Sequence, residues 1–316
     1  MGHVRSTAAI ALLLLCSPLA AAQMPAPVEP PAVVRTIATE DDRITIPVHI
    51  DGKGPWNFIV DTGSQRTVIS RDLARQLLLP VRRQVTIVSM AGRTEASTVS
   101  VPRLRYGKVS VDDIEAPVLE GEHLGAPGLL GLDSLHDKRL LLNFRTGRME
   151  IGDSRRSWRD PDAIIVEARR RKGQLILLDS DVNGMKVNII LDTGTRISVG
   201  NLALMNKLVR KKRAPALSPV SLISVTGETL TGQFGAIERI RMGRVTLSEM
   251  PVMFADASPF AELGLQNKPA LLLGLQALKG FDRVAIDFGR GKIDFLLPNG
   301  SALDGRRLAK GSAAAG

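Results

Sequence analysis

Cysteine is nearly missing from this chain: Cys16 is the only one in 316 residues. Histidines number four and the aromatic share is 3%. A His/Cys metal cage, a haem site and a base-stacking platform therefore lack their raw material, and neither metal nor cofactor is expected. Long apolar runs are missing as well. The longest, Ala8 to Ala20, has 13 residues and contains Ser17 and Pro18, short of the roughly 20 that a bilayer span requires. Wholesale disorder is excluded by composition, 44% apolar against 23% charged, in a chain long enough for two ordinary domains.

Residues 1–22 read as a secretory leader: Arg5 gives the positive start, Ala8 to Ala20 the apolar run, and Ala20-Ala21-Ala22 a small-residue cleavage site. An uncleaved anchor is the alternative. Cleavage after Ala22 removes Cys16, so the exported protein, periplasmic or extracellular, holds together by core burial without disulfides. Residues 23–38, with Pro25, Pro27, Pro30 and Pro31, read as a stiff Pro-rich linker rather than packed structure. The net charge of +10 becomes +9 once Arg5 leaves with the leader. Much of it lies in Arg169-Arg170-Arg171-Lys172 and Arg210-Lys211-Lys212-Arg213, which lack aromatic interleaving. Both read as solvated linker or loop, with no nucleic-acid partner. Residues 299–316, rich in Gly, Ala, Ser and Arg, read as a disordered tail.

Self-similarity organises the rest. Shifted by 131 residues, Asn57-Phe58-Ile59-Val60-Asp61-Thr62-Gly63-Ser64 lies over Asn188-Ile189-Ile190-Leu191-Asp192-Thr193-Gly194-Thr195. Upstream, each copy has a strand-like run ending in a tight-turn dipeptide: Ile44 to Ile50 with Asp51-Gly52, and Leu175 to Val182 with Asn183-Gly184. Downstream, Arg71 to Leu79 and Leu202 to Val209 have helical spacing. A second hairpin follows in each copy, turning at Met90-Ala91-Gly92 and at Val225-Thr226-Gly227. Apolar segments then end at Gly131 and Gly274, and closing hairpins turn at Thr146-Gly147 and at Gly289-Arg290-Gly291. The expected organisation is one lobe at 39–153, a basic linker at 154–173 and a second lobe at 174–298. The fold class is all-β, two tandem barrels about a pseudo-twofold axis, each with one or two short helices.

An Asp-Thr-Gly triplet arises by chance about 0.07 times in such a chain. Two, each after an apolar strand end and each followed by a hydroxyl residue, point to a shared role. An inherited turn explains their spacing, with Asp making an Asx-type bond. It does not explain a carboxylate emerging from an apolar strand, where desolvation is costly unless a partner or shared proton compensates. If the lobes pack about the pseudo-twofold axis, Asp61 and Asp192 face each other. Such a pair holds one proton between two groups, a base and an acid at one point.

These residues resemble the aspartic peptidases, and the retropepsin-like branch more closely than the pepsins, over about three quarters of the chain. The resemblance implies that Asp61 and Asp192 form the catalytic dyad and that Thr62 and Thr193 interlock across the axis. It further implies that Gly63 and Gly194 admit close backbone approach to the carboxylates. Met90, Ala91, Gly92 and Val225, Thr226, Gly227 become two flap tips over a bound polypeptide substrate. Two similar flaps favour the retropepsin arrangement. Neither contains tyrosine; the only one, Tyr106, falls later. Ser64 and Thr195 offer hydroxyls that can donate to the carboxylates and stabilise their charged form, which suggests an activity optimum on the acidic side of neutral.

Other chemistries are set aside. His49, His123 and His136 have no metal-ligand spacing, and there is no phosphate-binding loop or Gly-x-Ser-x-Gly elbow. Asp287 and Asp294 read as turn and edge residues of the last hairpin. The leading expectation is an exported aspartic endopeptidase, a monomer with pseudo-dimeric lobes. A non-catalytic peptide-binding scaffold and a symmetric dimer are the alternatives.

Overall fold

The computed structural model describes residues 32–35, 37–38, 43–154 and 160–298. The leader, residues 23–31 of the Pro-rich linker and the tail at 299–316 lie outside the described residues. In the first half, six strands close into a barrel. They run Ile44–Ile50, Lys53–Val60, Gly128–Leu130, Val68–Ser70, Val109–Leu119, Arg93–Tyr106 and back to the start through His49 and Arg105. The second half repeats this ring with Gln174–Leu177, Asn188–Leu191, Ala270–Leu273, Ser198–Gly200, Val245–Phe254 and Thr229–Met242. It closes through Ser180–Val182 against Thr229–Met242. The first strand is interrupted at Asp179, whose φ is 50°. Two pairings in each barrel are parallel, so the rings are not simple meanders.

Local sequence explains the repeated parts. Ile44–Ile50 alternates buried and half-buried positions over its second half, which a barrel wall requires. It turns at Asp51-Gly52 with φ of 49° and 79°, and its counterpart turns at Asn183-Gly184 with 48° and 76°. Residues that tolerate positive φ make the tight hairpin that suits strand twist. Helix Arg71–Gln76 starts at Ser70, whose hydroxyl accepts from the Leu73 N–H at 3.2 Å. Helix Leu202–Arg210 starts at Asn201, whose side chain accepts from the Leu204 N–H at 2.9 Å. Each cap satisfies an N–H that the first turn leaves open. Each barrel carries three short helices rather than one or two; the additional ones are single turns after strand ends.

A six-stranded antiparallel sheet joins the lobes in the order Ala32–Arg35, Arg148–Asp153, Lys138–Asn143, Arg283–Asp287, Lys292–Leu296, Ile164–Arg171. At its centre Leu140 lies opposite Ile286 and Leu142 opposite Val284, all at most 1% exposed. One apolar core therefore runs through both barrels. Truncating such residues costs about 2–5 kcal/mol each.

Two segments read as linkers turn out to be paired strands. Ala32–Arg35, from the Pro-rich segment, adds to the sheet edge, and Ile37–Ala38 pairs with Ile44–Ile50. Pro31 is the last proline before Ala32, so the N–H groups that follow can donate. Ile164–Arg171, from the basic segment, pairs first with Lys292–Leu296 and then with Gln174–Leu177. Its Ile-Ile-Val start carries the strand propensity, while Arg169 and Arg170 point to solvent. Asp287 is likewise no edge residue. It is 2% exposed, accepts from the Ser154 hydroxyl and from the Arg290 N–H at 2.9 Å, and lies across the lobe boundary from Arg139. Arg139 donates to Asp294 at 2.6 Å.

Candidate active site

Each Asp-Thr-Gly turn begins where a strand ends. The Asp61 N–H donates to the Leu130 carbonyl and the Asp192 N–H to the Leu273 carbonyl, both at 3.0 Å. These bonds fix the two aspartates at matching points of the two barrels. The turns then interlock. The Thr62 hydroxyl donates to the Leu191 carbonyl at 3.0 Å and accepts from the Thr193 N–H at 3.1 Å. The Thr193 hydroxyl donates to the Val60 carbonyl at 2.6 Å and accepts from the Thr62 N–H at 3.1 Å. Both threonines are buried, at 2% and 0% exposure, so four bonds tie the lobes together away from water.

The glycines measure how closely the halves meet. A Cβ on Gly63 would lie 2.6 Å from Asp192 Cγ, and one on Gly194 only 2.3 Å from Asp61 Cγ. Each carboxyl group therefore rests against the opposite lobe's turn, close enough that each shifts the ionisation of the other. Asp61 Oδ1 accepts from the Gly63 N–H at 2.8 Å and the Ser64 N–H at 3.1 Å. Asp192 Oδ1 accepts from the Gly194 N–H at 2.9 Å.

Burial governs the electrostatics. Desolvation raises both carboxyl pKa values above the ordinary range. Asp192 is pushed up to about 8, first by burial and then by the charge of Asp61. Asp61 is relieved by the Gly63 and Ser64 N–H groups, by the neighbouring Asp192 carboxyl and by the charge of Arg43. The ionised form is thus better supported on Asp61 and the proton on Asp192, although a coupled pair titrates as a unit.

The hydroxyls of Ser64 and Thr195 do not reach the carboxylates. Ser64 Oγ donates to the Arg66 carbonyl at 2.8 Å, and the buried Thr195 Oγ1 has no partner among the described residues. The Asx-type turn aims backbone N–H groups at the aspartate and leaves the serine hydroxyl to close its own local turn.

The hairpin tips each lean on the opposite lobe. Met90 and Ala91 pack against the second barrel's cluster that includes Phe260 and Leu263, and the Ser258 N–H donates to the Met90 carbonyl at 3.2 Å. Gly92, at the end of this tip, accepts from the Ser89 N–H at 2.9 Å. Arg93 at its base forms an ion pair with Glu262. In the other flap, Val225 packs against the first barrel's cluster that includes Leu119 and Leu124. The Gly227 N–H donates to the Ser224 carbonyl at 2.9 Å, Thr226 donates to Glu228, and Gly227 lies against the His123 ring. A cleft of about 200 Å³ brings Gly63 and Ser64, the flap strand Thr86 to Val88 and the second lobe's Pro259 and Leu263 to one space.

Two nearby residues escape a reading of the motifs alone. Arg43, just before the first strand of its lobe, and Gln174, the first residue of its lobe's first strand, stand at the same 131-residue offset as the two triplets. Arg43 lowers the Asp61 pKa by its charge, and Gln174 Nε2 donates to the Gly63 carbonyl at 2.6 Å. The offset was the signal that could have marked them.

Two barrels in one chain, meeting at interlocked Asp-Thr-Gly turns with a hairpin from each leaning on the other, define the architecture of a two-lobed acid protease. The chain belongs to the aspartyl protease family: residues 46–134 and 178–277 each match the family's model, together more than half of the sequence. No curated protein matches the chain.

Proposed function

We infer that the protein is an aspartic endopeptidase in which one chain supplies both carboxyl groups. The observation that carries this reading is the Asp61–Asp192 pair, each carboxyl set against the opposite lobe's turn and held by backbone N–H groups of its own. Asp61 acts as base and removes a proton from a water molecule. That water attacks the peptide carbonyl carbon while Asp192 donates its proton to the carbonyl oxygen. As the tetrahedral intermediate collapses, the C–N bond breaks, the proton taken by Asp61 passes to the leaving amine, and one hydroxyl of the intermediate returns a proton to Asp192 as the new carboxyl group forms, which restores the starting pair. No covalent enzyme intermediate forms.

A flap from each lobe holds the substrate as an extended strand through backbone hydrogen bonds. The protein is exported by its leader and works as a monomer in the periplasm or outside the cell. Among the described residues no helix is long and apolar enough to cross a membrane.

The test compares wild type, Asp61→Asn and Asp192→Asn on a peptide library across pH. Each substitution should lower kcat by at least about a thousandfold with the fold retained. Full activity in either variant would remove that residue from the mechanism. A wild type that binds peptides but cuts none would favour the scaffold reading, and a dimeric mass in solution would refute the monomer.

A further inference from the structure

The cleft beside the first Asp-Thr-Gly turn is not matched chemically by its counterpart in the second lobe. The loops superpose by their bonding. Ser64 and Gln65 carbonyls accept from the N–H groups of Leu132 and Asp133, as those of Thr195 and Arg196 do from Leu275 and Gln276. Thr67 Oγ1 accepts from the Gly131 N–H and Ser198 Oγ from the Gly274 N–H. Arg66 therefore corresponds to Ile197. Arg66 is exposed and lines the cleft, whereas Ile197 packs against the second barrel's apolar cluster.

Among the described residues, the charges around this cleft leave Arg66 without an ion pair. Glu262, the acid of the opposite wall, is held by Arg93 and by Lys172 at 3.5 Å. Glu115, which senses the Arg66 charge, is already held by Arg83 at 2.8 Å and by the Thr98 hydroxyl at 2.8 Å. The remaining wall, formed by Val68, Ile87 and Leu263, is apolar. Gln174 adds a second, independent feature. It lines the same cleft at 4% exposure, its Nε2 is committed to the Gly63 carbonyl, and its Oε1 has no partner among the described residues. A buried acceptor left open in a cleft is costly unless a ligand donor satisfies it.

Building on the peptidase reading, we propose that this cleft binds a glutamate side chain of the substrate, with Arg66 pairing its carboxylate and Gln174 Oε1 accepting a peptide N–H. The apolar wall covers the two methylenes of glutamate, a stem that aspartate lacks. The second lobe has Ile197 in place of Arg66 and Arg196 in place of Gln65, so this particular pairing belongs to the first lobe's side of the cleft and makes the cleavage register directional.

The test is positional profiling of the full chain on a peptide library in which one position carries Glu, Gln, Leu or Lys. Wild type should prefer Glu over Gln by about fivefold in kcat/KM at one position, the range of a solvent-exposed charge pair, and the preference should shrink in salt. Arg66→Ala should abolish it and Arg66→Glu should turn it towards Lys, with thermal midpoints unchanged because the side chain is exposed. Gln174→Leu should raise KM for every peptide alike. Superimposable profiles for wild type and Arg66→Ala, or a wild-type preference for Leu or Lys at every position, would overturn the proposal while leaving catalysis intact. Absence of cleavage in all proteins would instead defeat the peptidase reading. Binding of fluorescent Glu and Lys peptides to Asp61→Asn then decides the subsite by itself: Glu should bind more tightly, and equal binding would overturn it.

Discussion

The two lobes share a backbone plan and differ in how they treat their aspartates. Asp61 is half-buried, takes two backbone N–H bonds at its Oδ1 and has the charge of Arg43 nearby. Asp192 is 5% exposed and is also relieved by the Gly194 and Thr195 N–H groups, but the residue at the Arg43 position is neutral Gln174. Duplication supplied two equal carboxyl groups, and substitutions around them made one the better anion and the other the better acid. A shared proton needs this inequality less than it needs proximity. The inequality nevertheless gives each group a fixed role, which a symmetric pair lacks.

Substitutions at matched positions separate what the lobes share from what they do not. The largest effect after loss of an aspartate is expected at the glycines. Gly63→Ala and Gly194→Ala each force a methyl group into the opposite carboxyl, at 2.6 and 2.3 Å from its Cγ. Each should reduce kcat about a hundredfold or more and cost about 1–3 kcal/mol of stability, with Gly194→Ala the worse. Near-normal kinetics in either variant would mean that the turns sit further apart. Thr62→Val and Thr193→Val test symmetry: each removes one hydroxyl that donates one bond and accepts another. Denaturant unfolding should show losses of about 1–3 kcal/mol that match within error, and a large difference would show that one lobe bears the interlock alone. The smallest effect belongs to the flaps. Arg93→Ala breaks an exposed ion pair that the second flap does not have and should raise KM less than about fivefold, more at low salt, with kcat unchanged. A large drop in kcat would make Arg93 part of the chemistry.

Much of this was legible in the sequence because the repeat states it twice. The turns at Asp51-Gly52 and Asn183-Gly184 and the short helical stretch that follows each Asp-Thr-Gly are local signals, set by side chains acting within a few residues. What was illegible is long-range. The Ala32–Arg35 strand has too few residues to show alternation and follows a proline-rich stretch, so composition hid it. In Ile164–Arg171 the charges masked the β-branched start. The buried role of Asp287 depends on Ser154 and Arg139 arriving from the other lobe, which no local pattern encodes. For Ser64 and Thr195 the residue type suggested a donor, but turn geometry pointed the backbone N–H, and not the serine hydroxyl, at the aspartate.

The central claim is that the two carboxyl groups hold one proton through neutral pH. Because Asp192 moves from an ordinary 3.8 to about 8, its protonated form stabilises the fold. That contribution is complete below 3.8 and is lost as pH rises through about 8, so stability should decline across this window in wild type and less in Asp192→Asn. The most direct measurement is a carbon NMR titration of the two carboxyl groups, assigned with the single Asn variants. The account predicts two coupled steps, both above 3.8, the upper near 8 and absent from Asp192→Asn. Two independent titrations near the ordinary aspartate value would contradict it.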